Sequence, residues 1–327
     1  MLARRMPRRT RTALVLALAA LALTGCARRG EDRPNAGATL MLDARPSAID
    51  AGIYLALERD FDGAEGVGLR VRSPASRATP LRSLLDRRAQ LAILDIHDLA
   101  LARERGHDVV GVMALVQRPL AAILAGPSVR RPRDLDGRRV AVSGRPADAA
   151  IVAAIVRQDG GNPRRVTRVR TEETPVAALA SGRVAAATGT WSADGSALVA
   201  RRPRDHVFRA DDYGAPDYPE LVLAVTRETL TEHRDVVRAT VRSIRRGYDE
   251  ALVDPESAVE ALIERVPSLD RATTQQAFDA VSPAFLEGVT RFGALDVPAL
   301  RAWAAWEARE RITRRPPDVG RAFALGF

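Results

Sequence analysis

The stretch LAILDIHDLALARERGHDVVGVMALV, residues 91–116, decides the architecture of the chain. Leu91 to Leu94 is a short apolar run that reads as a strand, and Asp98 to Arg105 reads as a helix. Val109 to Val116 is a second apolar run, rich in the β-branched valines that suit a pleated, buried surface. A strand, a helix and a strand of these lengths predict parallel pairing through a right-handed crossover.

The same alternation continues on both sides. Towards the N-terminus, Thr39 to Leu42 and Leu69 to Arg72 read as strands, and Ala48 to Glu58 and Pro80 to Arg88 as helices. A second round begins after Gly126-Pro127. It has a short helix and turn at Arg133 to Gly137, a strand at Arg139 to Val142, and a helix from Ala147 to Gln158 stopped by Gly160-Gly161-Asn162-Pro163. Strand Val166 to Arg170, helix Pro175 to Ser181 and strand Ala185 to Gly189 complete it. Leu221 to Val225 reads as a strand returning to the first unit. The rest is helical: Arg234 to Leu252, with apolar Val237, Val241, Ile244 and Tyr248 on one face, then Pro255 to Arg265, Arg271 to Val281 and Val297 to Arg311. Trp303 and Trp306 on the last helix are read as packing residues. The expected fold class is α/β, with two parallel-sheet lobes and a cleft between them. Residues 38–125 plus 221–327 form the first lobe, and 126–220 the second.

The N-terminus carries a different message. Arg4, Arg5, Arg8, Arg9 and Arg11 precede an apolar run from Ala13 to Leu23, and Leu23-Thr24-Gly25-Cys26 follows it. Basic, apolar and then small-residue is the layout of a secretory signal, and the run is shorter than the roughly 20 apolar residues that span a bilayer. The segment resembles the lipobox of bacterial lipoproteins. That resemblance implies a signal peptide over 1–25, a lipid on Cys26, and attachment to the outer face of the cell membrane. Cys26 is the only cysteine, so no internal disulfide competes with acylation. Polar, turn-forming residues 26–37 read as a flexible tether.

The 50 basic residues are all arginine. Removing the five in 1–25 lowers the formal net charge from +9 to +4, spread along the chain rather than gathered into a stripe, which argues against nucleic acid as a partner. The four histidines stand apart, without a second ligand at metal-binding spacing, and no Gly-x-Ser-x-Gly elbow or phosphate-loop lysine occurs. No metal, no cofactor and no catalytic residue are therefore expected, which favours a binding protein, read as a monomer, over an enzyme. Gly144-Arg145-Pro146 is a turn before a helix whose N-terminus could face an anion. The segment 211–221, with Tyr213 and Tyr218 among glycine and prolines, reads as a rigid loop. Its rings have two open readings: flat walls for a planar ligand, or packing over the lobe junction.

Four segments then carry a resemblance: Met41 to Ser47, Gly52 to Glu58, Ser181 to Trp191, and Asp212-Tyr213-Gly214-Ala215-Pro216-Asp217-Tyr218. They are similar to the NMT1/THI5-like substrate-binding proteins of ABC transporters, from about Thr39 to Phe327. The resemblance implies a type II periplasmic-binding-protein fold. It also implies a small heteroaromatic solute of the formylaminopyrimidine or hydroxymethylpyrimidine kind, and ABC permease and ATPase subunits as partners. Relatives end the first strand in Asp-Trp-x-Pro-Asn with a histidine three residues on. Here Asp43 is kept, while Ala44, Ser47 and Asp50 stand at the other places.

The implied contacts are Asp43, Arg45, Ser47, Asp50 and Tyr54 from the first strand and helix, Asp95 and His97 after the third strand, and Arg118 at the crossover. Thr190, Trp191 and Asp194 follow the last strand of the second lobe, with Tyr213, Asp217 and Tyr218 on the rigid loop. Trp191 is the expected stacking wall and Asp194 the expected acceptor of a ligand amine. Riboflavin or an alkanesulfonate-like anion is the neighbouring ligand class. A lipoprotein that senses a ligand without transporting it, and a cytosolic pyrimidine-making enzyme of the same fold, are the alternatives in function.

Overall fold

The computed structural model describes residues 36–76 and 79–327. Cys26, the signal peptide and all but the end of the tether lie outside the described residues. Among the described residues no helix is long and apolar enough to cross a membrane.

Ten strands form two five-stranded sheets within one compact unit, Ala36–Phe327. The first sheet has the order β2-β1-β3-β10-β4, from β1 (Ala36–Met41), β2 (Val67–Arg72), β3 (Leu91–Asp95), β4 (Val109–Val116) and β10 (Leu221–Thr226). The second has the order β7-β6-β8-β5-β9, from β5 (Ala121–Ala125), β6 (Arg139–Ala141), β7 (Thr167–Val169), β8 (Ala186–Thr190) and β9 (His206–Arg209).

The sheets are mixed, which corrects the expectation of parallel lobes. β1 is parallel to β2 and β3, but β10 runs antiparallel to both β3 and β4. In the second sheet β6 is parallel to β7 and β8, while β5 runs antiparallel to β8 and β9. The physical reason is the double crossing of the chain. β4 leaves the first sheet at its C-terminal end, so the strand that enters the other sheet starts at that end and must run the opposite way. Leu221 accordingly pairs with Asp95 and Val116, and Ala121 with Thr190. The C-terminal ends of the parallel strands of both sheets are thereby turned to one cleft, where open α/β sheets bind ligands.

The first crossing also falls earlier than expected. Residues 121–125, counted above with the first lobe, are β5 of the second sheet, because the boundary read from Gly126-Pro127 is the turn that ends β5. The linkers are hydrogen-bonded to each other: Glu220 N–H donates to the Val116 carbonyl at 3.0 Å, and Leu120 N–H to Glu220 Oε2 at 2.9 Å.

Continuous apolar strands mark the core, and all eight residues of β4 are buried. Trp303 and Trp306 are fully buried, as packing residues should be. The helix Arg234–Val253 buries Val237, Val241, Ile244 and Tyr248. It crosses the helix Ala51–Glu58 at a pair of glycines: a Cβ on Gly247 would stand 2.1 Å from the Gly52 carbonyl oxygen, and one on Gly52 would stand 2.5 Å from the Tyr248 ring. Tyr248 stacks on Phe292 with centroids 3.9 Å apart and donates its hydroxyl to the Ile49 carbonyl at 2.6 Å. This packing fixes the entry to the helix beside the cleft. Because helix backbones rather than a flexible side chain block the space, Gly247→Ala should destabilise the protein by about 2–3 kcal/mol in urea denaturation.

Candidate functional site

Two of the acidic groups in the cleft are delivered by strand ends, and Asp98 by the helix that follows β3. Asp43 follows β1, and Asp95 closes β3 and caps the helix Ile96–Glu104 by accepting the His97 N–H at 2.8 Å. From the second sheet, the turn after β6 brings Arg145. Asp148 holds that turn: its Oδ2 accepts the Ser143 hydroxyl at 2.7 Å and the N–H groups of Gly144 at 2.9 Å and Arg145 at 3.2 Å. Gly144 adopts φ +84°, a left-handed conformation that glycine takes without strain. Arg145 Nη1 then reaches across the cleft and donates to Asp95 Oδ2.

Arg145 is outnumbered. Burial opposes its charge, but Asp95, Glu220, Asp98 and Asp43 hold its pKa above the usual arginine value. The carboxyls feel the converse. Burial and then Asp95 push Asp98 up to about 6 and Glu220 up to about 7, against the pull of Arg145. Asp43 is likewise raised by burial, with Arg145 opposing and Asp95 adding to the rise. Burial and the neighbouring Asp43 push Asp50 up to about 8. Asp50 is 3% exposed and accepts the Ser47 N–H at 2.8 Å. Burial and Asp50 push Tyr54, one helical turn further, up to about 12.

Beside this cluster lies a cavity of about 430 Å³, lined by four carboxylates, Asp43, Asp86, Asp95 and Asp98, three guanidinium groups, Arg82, Arg105 and Arg145, and apolar Leu81, Leu85, Pro80 and Pro146. A larger cavity, about 800 Å³, lies at the opposite end of β4, around Arg103, His107, Arg315 and Arg321, away from the strand-end carboxylates. Among the described residues no group of three His, Cys, Asp or Glu side chains is placed to hold a metal ion.

The other residues implicated by sequence fall into separate places. His97 and Tyr218 are buried in the first lobe: His97 Nδ1 pairs with Glu307 and Nε2 lies 3.2 Å from the Tyr218 hydroxyl, with Trp306 beside both rings. The packing reading of Tyr218 is the one its 0% exposure matches. Tyr213 sits edge-on to Phe208 at 6.0 Å, and Asp217 and Arg45 are exposed. Arg118 is bound at the crossover, donating through Nε to Asp211 at 2.8 Å and through Nη1 to Glu287 at 2.9 Å.

Asp194 accepts the Thr190 N–H at 2.9 Å and its hydroxyl at 3.2 Å, so this carboxylate serves its own turn. Trp191 donates its indole N–H to the Pro119 carbonyl at 2.8 Å, and the Arg209 guanidinium covers the ring at 4.0 Å. It borders a different cavity, of about 420 Å³, with Val199, Val207 and Gln276. Asp98, Arg145, Asp148 and Glu220 are not among the contacts expected from sequence. The turn at Gly144-Arg145-Pro146 had been read as facing an anion. Asp148, the first residue of the following helix, is the sign that its N–H groups are already taken.

Two opposed α/β lobes with strand ends and a cavity at their junction define the class of two-lobed solute-binding folds. An alkanesulfonate-binding protein of Xanthomonas axonopodis pv. citri, solved with MOPS bound, superimposes with a TM-score of 0.69 at 16% identity, over 89% of this chain and 99% of that one. The periplasmic aliphatic sulphonate binding protein of Escherichia coli gives 0.69 at 14% identity, over 88% and 97%. In sequence, the formylaminopyrimidine-binding protein of Halalkalibacterium halodurans is 28% identical over 253 residues, 76% of this chain and 77% of that one. The NMT1/THI5 like family profile matches residues 49–258, and the chain belongs to that family.

Two outcomes follow from the electrostatics. Asp50, Glu220 and Asp98 bind protons more tightly folded than unfolded, so the stability they contribute is fully present below the unfolded carboxyl range. It is lost as pH rises through about 6 to 8. Asp50→Asn should therefore stabilise the protein by about 1–3 kcal/mol near pH 8.5 and flatten the pH dependence of urea unfolding. His97 behaves differently: burial pulls its pKa down, but Glu307 and Asp95 outweigh that and push it up to about 10. Glu307→Gln leaves the imidazolium without its buried partner and should cost about 3–5 kcal/mol at pH 7 by the same measurement.

Proposed function

We propose that this protein is the solute receptor of an ABC importer and that it takes a thiamine pyrimidine precursor of the formylaminopyrimidine or hydroxymethylpyrimidine type. The observation that carries the reading is that Asp43, Asp95 and Asp98 line one cavity together with leucine and proline side chains, while Arg82, Arg105 and Arg145 supply its positive charge. A flat ring with an exocyclic amine meets both demands: its faces pack on aliphatic carbon and its N–H groups donate to carboxylates. The relative from Halalkalibacterium halodurans, named for binding formylaminopyrimidine, supports the same class.

A sulfonate of the kind named for the structural neighbours fits less well: Arg145 is already engaged by Asp95, and the N–H groups of Gly144 and Arg145 that could hold an anion are spent on Asp148. Riboflavin fits less well, because no aromatic side chain lines this cavity to cover three fused rings.

On this reading the lobes close because the solute touches both, which gives it differential affinity for the closed state. No bond is made or broken. The receptor is a monomer held outside the cell membrane by lipid on Cys26, and it hands its solute to the permease and ATPase subunits.

The test is a thermal-shift series on the full chain in detergent, with hydroxymethylpyrimidine, formylaminopyrimidine, riboflavin and MOPS. A solute at 100 times its dissociation constant adds about 2.7 kcal/mol of stability, which a melting curve resolves. The pyrimidines should raise the melting temperature. Asp43→Asn and Asp95→Asn should each weaken binding by about tenfold or more, as expected for loss of one charge-assisted hydrogen bond. A shift with riboflavin or MOPS and none with either pyrimidine overturns the assignment.

A further inference from the structure

The cleft contains a planar cation supplied by the protein itself. Arg145 comes from the second lobe, on a turn made rigid by Asp148, and its guanidinium lies among carboxyls of the first lobe: Asp95, Asp98, Asp43 and Glu220. Its partner Asp95 is 5% exposed, and Arg145 itself 27% by side chain. A guanidinium offers two parallel N–H donors in one plane, a geometry matched to carboxylate oxygens. An amidinium offers the same edge, and so does a 4-aminopyrimidine carrying a proton on the adjacent ring nitrogen.

We propose that Arg145 is a resident surrogate for the solute: it latches the empty lobes together through Asp95 and is exchanged for a solute that presents the same planar two-donor edge. The exchange rests on the aminopyrimidine reading given above, whereas the latch itself does not. Selection follows directly. A solute without that edge has nothing to offer the carboxyls when the guanidinium leaves, so anions and pyrimidinones are refused at the step of exchange.

The latch also lowers apparent affinity, because only the unlatched fraction is competent to bind. If the latch is closed about nine-tenths of the time, its removal tightens binding about tenfold.

The test separates the two parts. Spin labels at Glu256→Cys and Arg168→Cys, one exposed position on each lobe, report the lobe separation in the full chain once Cys26→Ser removes the native thiol. Without solute, the parent should show a short, narrow distance distribution and Arg145→Ala a longer, broader one. Methylguanidinium should restore the short distance to Arg145→Ala. Arg145→Lys, which keeps the charge but not the fork, should fall between them. By calorimetry, Arg145→Ala should bind a 4-aminopyrimidine about tenfold more tightly than the parent, and leave the corresponding pyrimidinone unbound.

An unchanged distance distribution in Arg145→Ala overturns the latch whatever binds. Weaker binding of the aminopyrimidine by Arg145→Ala overturns the exchange and makes Arg145 a direct solute contact. If no aminopyrimidine binds either protein while methylguanidinium still closes the variant, the latch stands and the solute assignment falls.

Discussion

The structure depends on an imbalance of charge at the strand ends. Four carboxyl groups, Asp43, Asp95, Asp98 and Glu220, meet the Arg145 guanidinium in a site largely removed from water, with the His97 imidazolium and Arg105 also pulling on them. Isolated ions are costly to bury, and the protein meets that cost by raising the carboxyl pKa values and by carrying Arg145 across from the opposite sheet. What remains is a cleft whose buried carboxyls hold protons more tightly than free ones.

That imbalance requires the two sheets to face each other correctly, which the double crossing ensures. Each strand that follows a crossing must run against its neighbours, so the remaining strands of both sheets aim their C-terminal ends at the cleft. The crossings are short and cross-linked. Arg118 on the outgoing linker binds Asp211 on the return linker and Glu287 of the first lobe, while Glu220 accepts from Leu120. Backbone freedom between the lobes is thus confined to a few residues, the arrangement expected of a hinge. The indole of Trp191, bonded to the Pro119 carbonyl and covered by Arg209, belongs to this hinge as much as to the cleft.

Much of this was legible in the sequence, and the rest was not for identifiable reasons. Strand β4, from Val109 to Val116, and the helices Pro255–Arg265 and Arg271–Val281 coincide with their sequence boundaries, because long apolar runs and capped helices are local signals. β5 is hard to read from sequence because its apolar run abuts Gly126-Pro127, a turn that marks the strand's end but has the look of a lobe boundary. β9 was missed because its His206-Val207-Phe208-Arg209 sequence is short and only partly buried. At the site, Asp43 and Asp95 are among the contacts that the family resemblance implies. Arg145 is not, because its partner Asp95 lies 50 residues away in sequence, and only the fold joins them. His97 and Tyr218 look like ligand residues in sequence because polar aromatics on loops often are. Here Glu307, 210 residues from His97, draws the imidazole inward.

Where the family resemblance implies tryptophan and histidine after the first strand, this chain has Ala44 and Asp50, so a stacking surface is lost and an acid stands in place of a base. Stacking contributes about 0.5–1.5 kcal/mol beyond buried area. Asp50 does not replace it as a contact: it is 3% exposed, burial and Asp43 push its carboxyl up to about 8, and it lies outside the cavity lined by Asp43, Asp95 and Asp98. Ser47 holds it there, its N–H and hydroxyl both bonding to Asp50 Oδ2, at 2.8 and 3.3 Å. The polar groups that do line the cavity come from both lobes, and Arg145 meets Asp95 across it. With no ring in that lining, the donors and acceptors of Asp43, Asp95, Asp98 and Arg145 are what the proposed solute has to match.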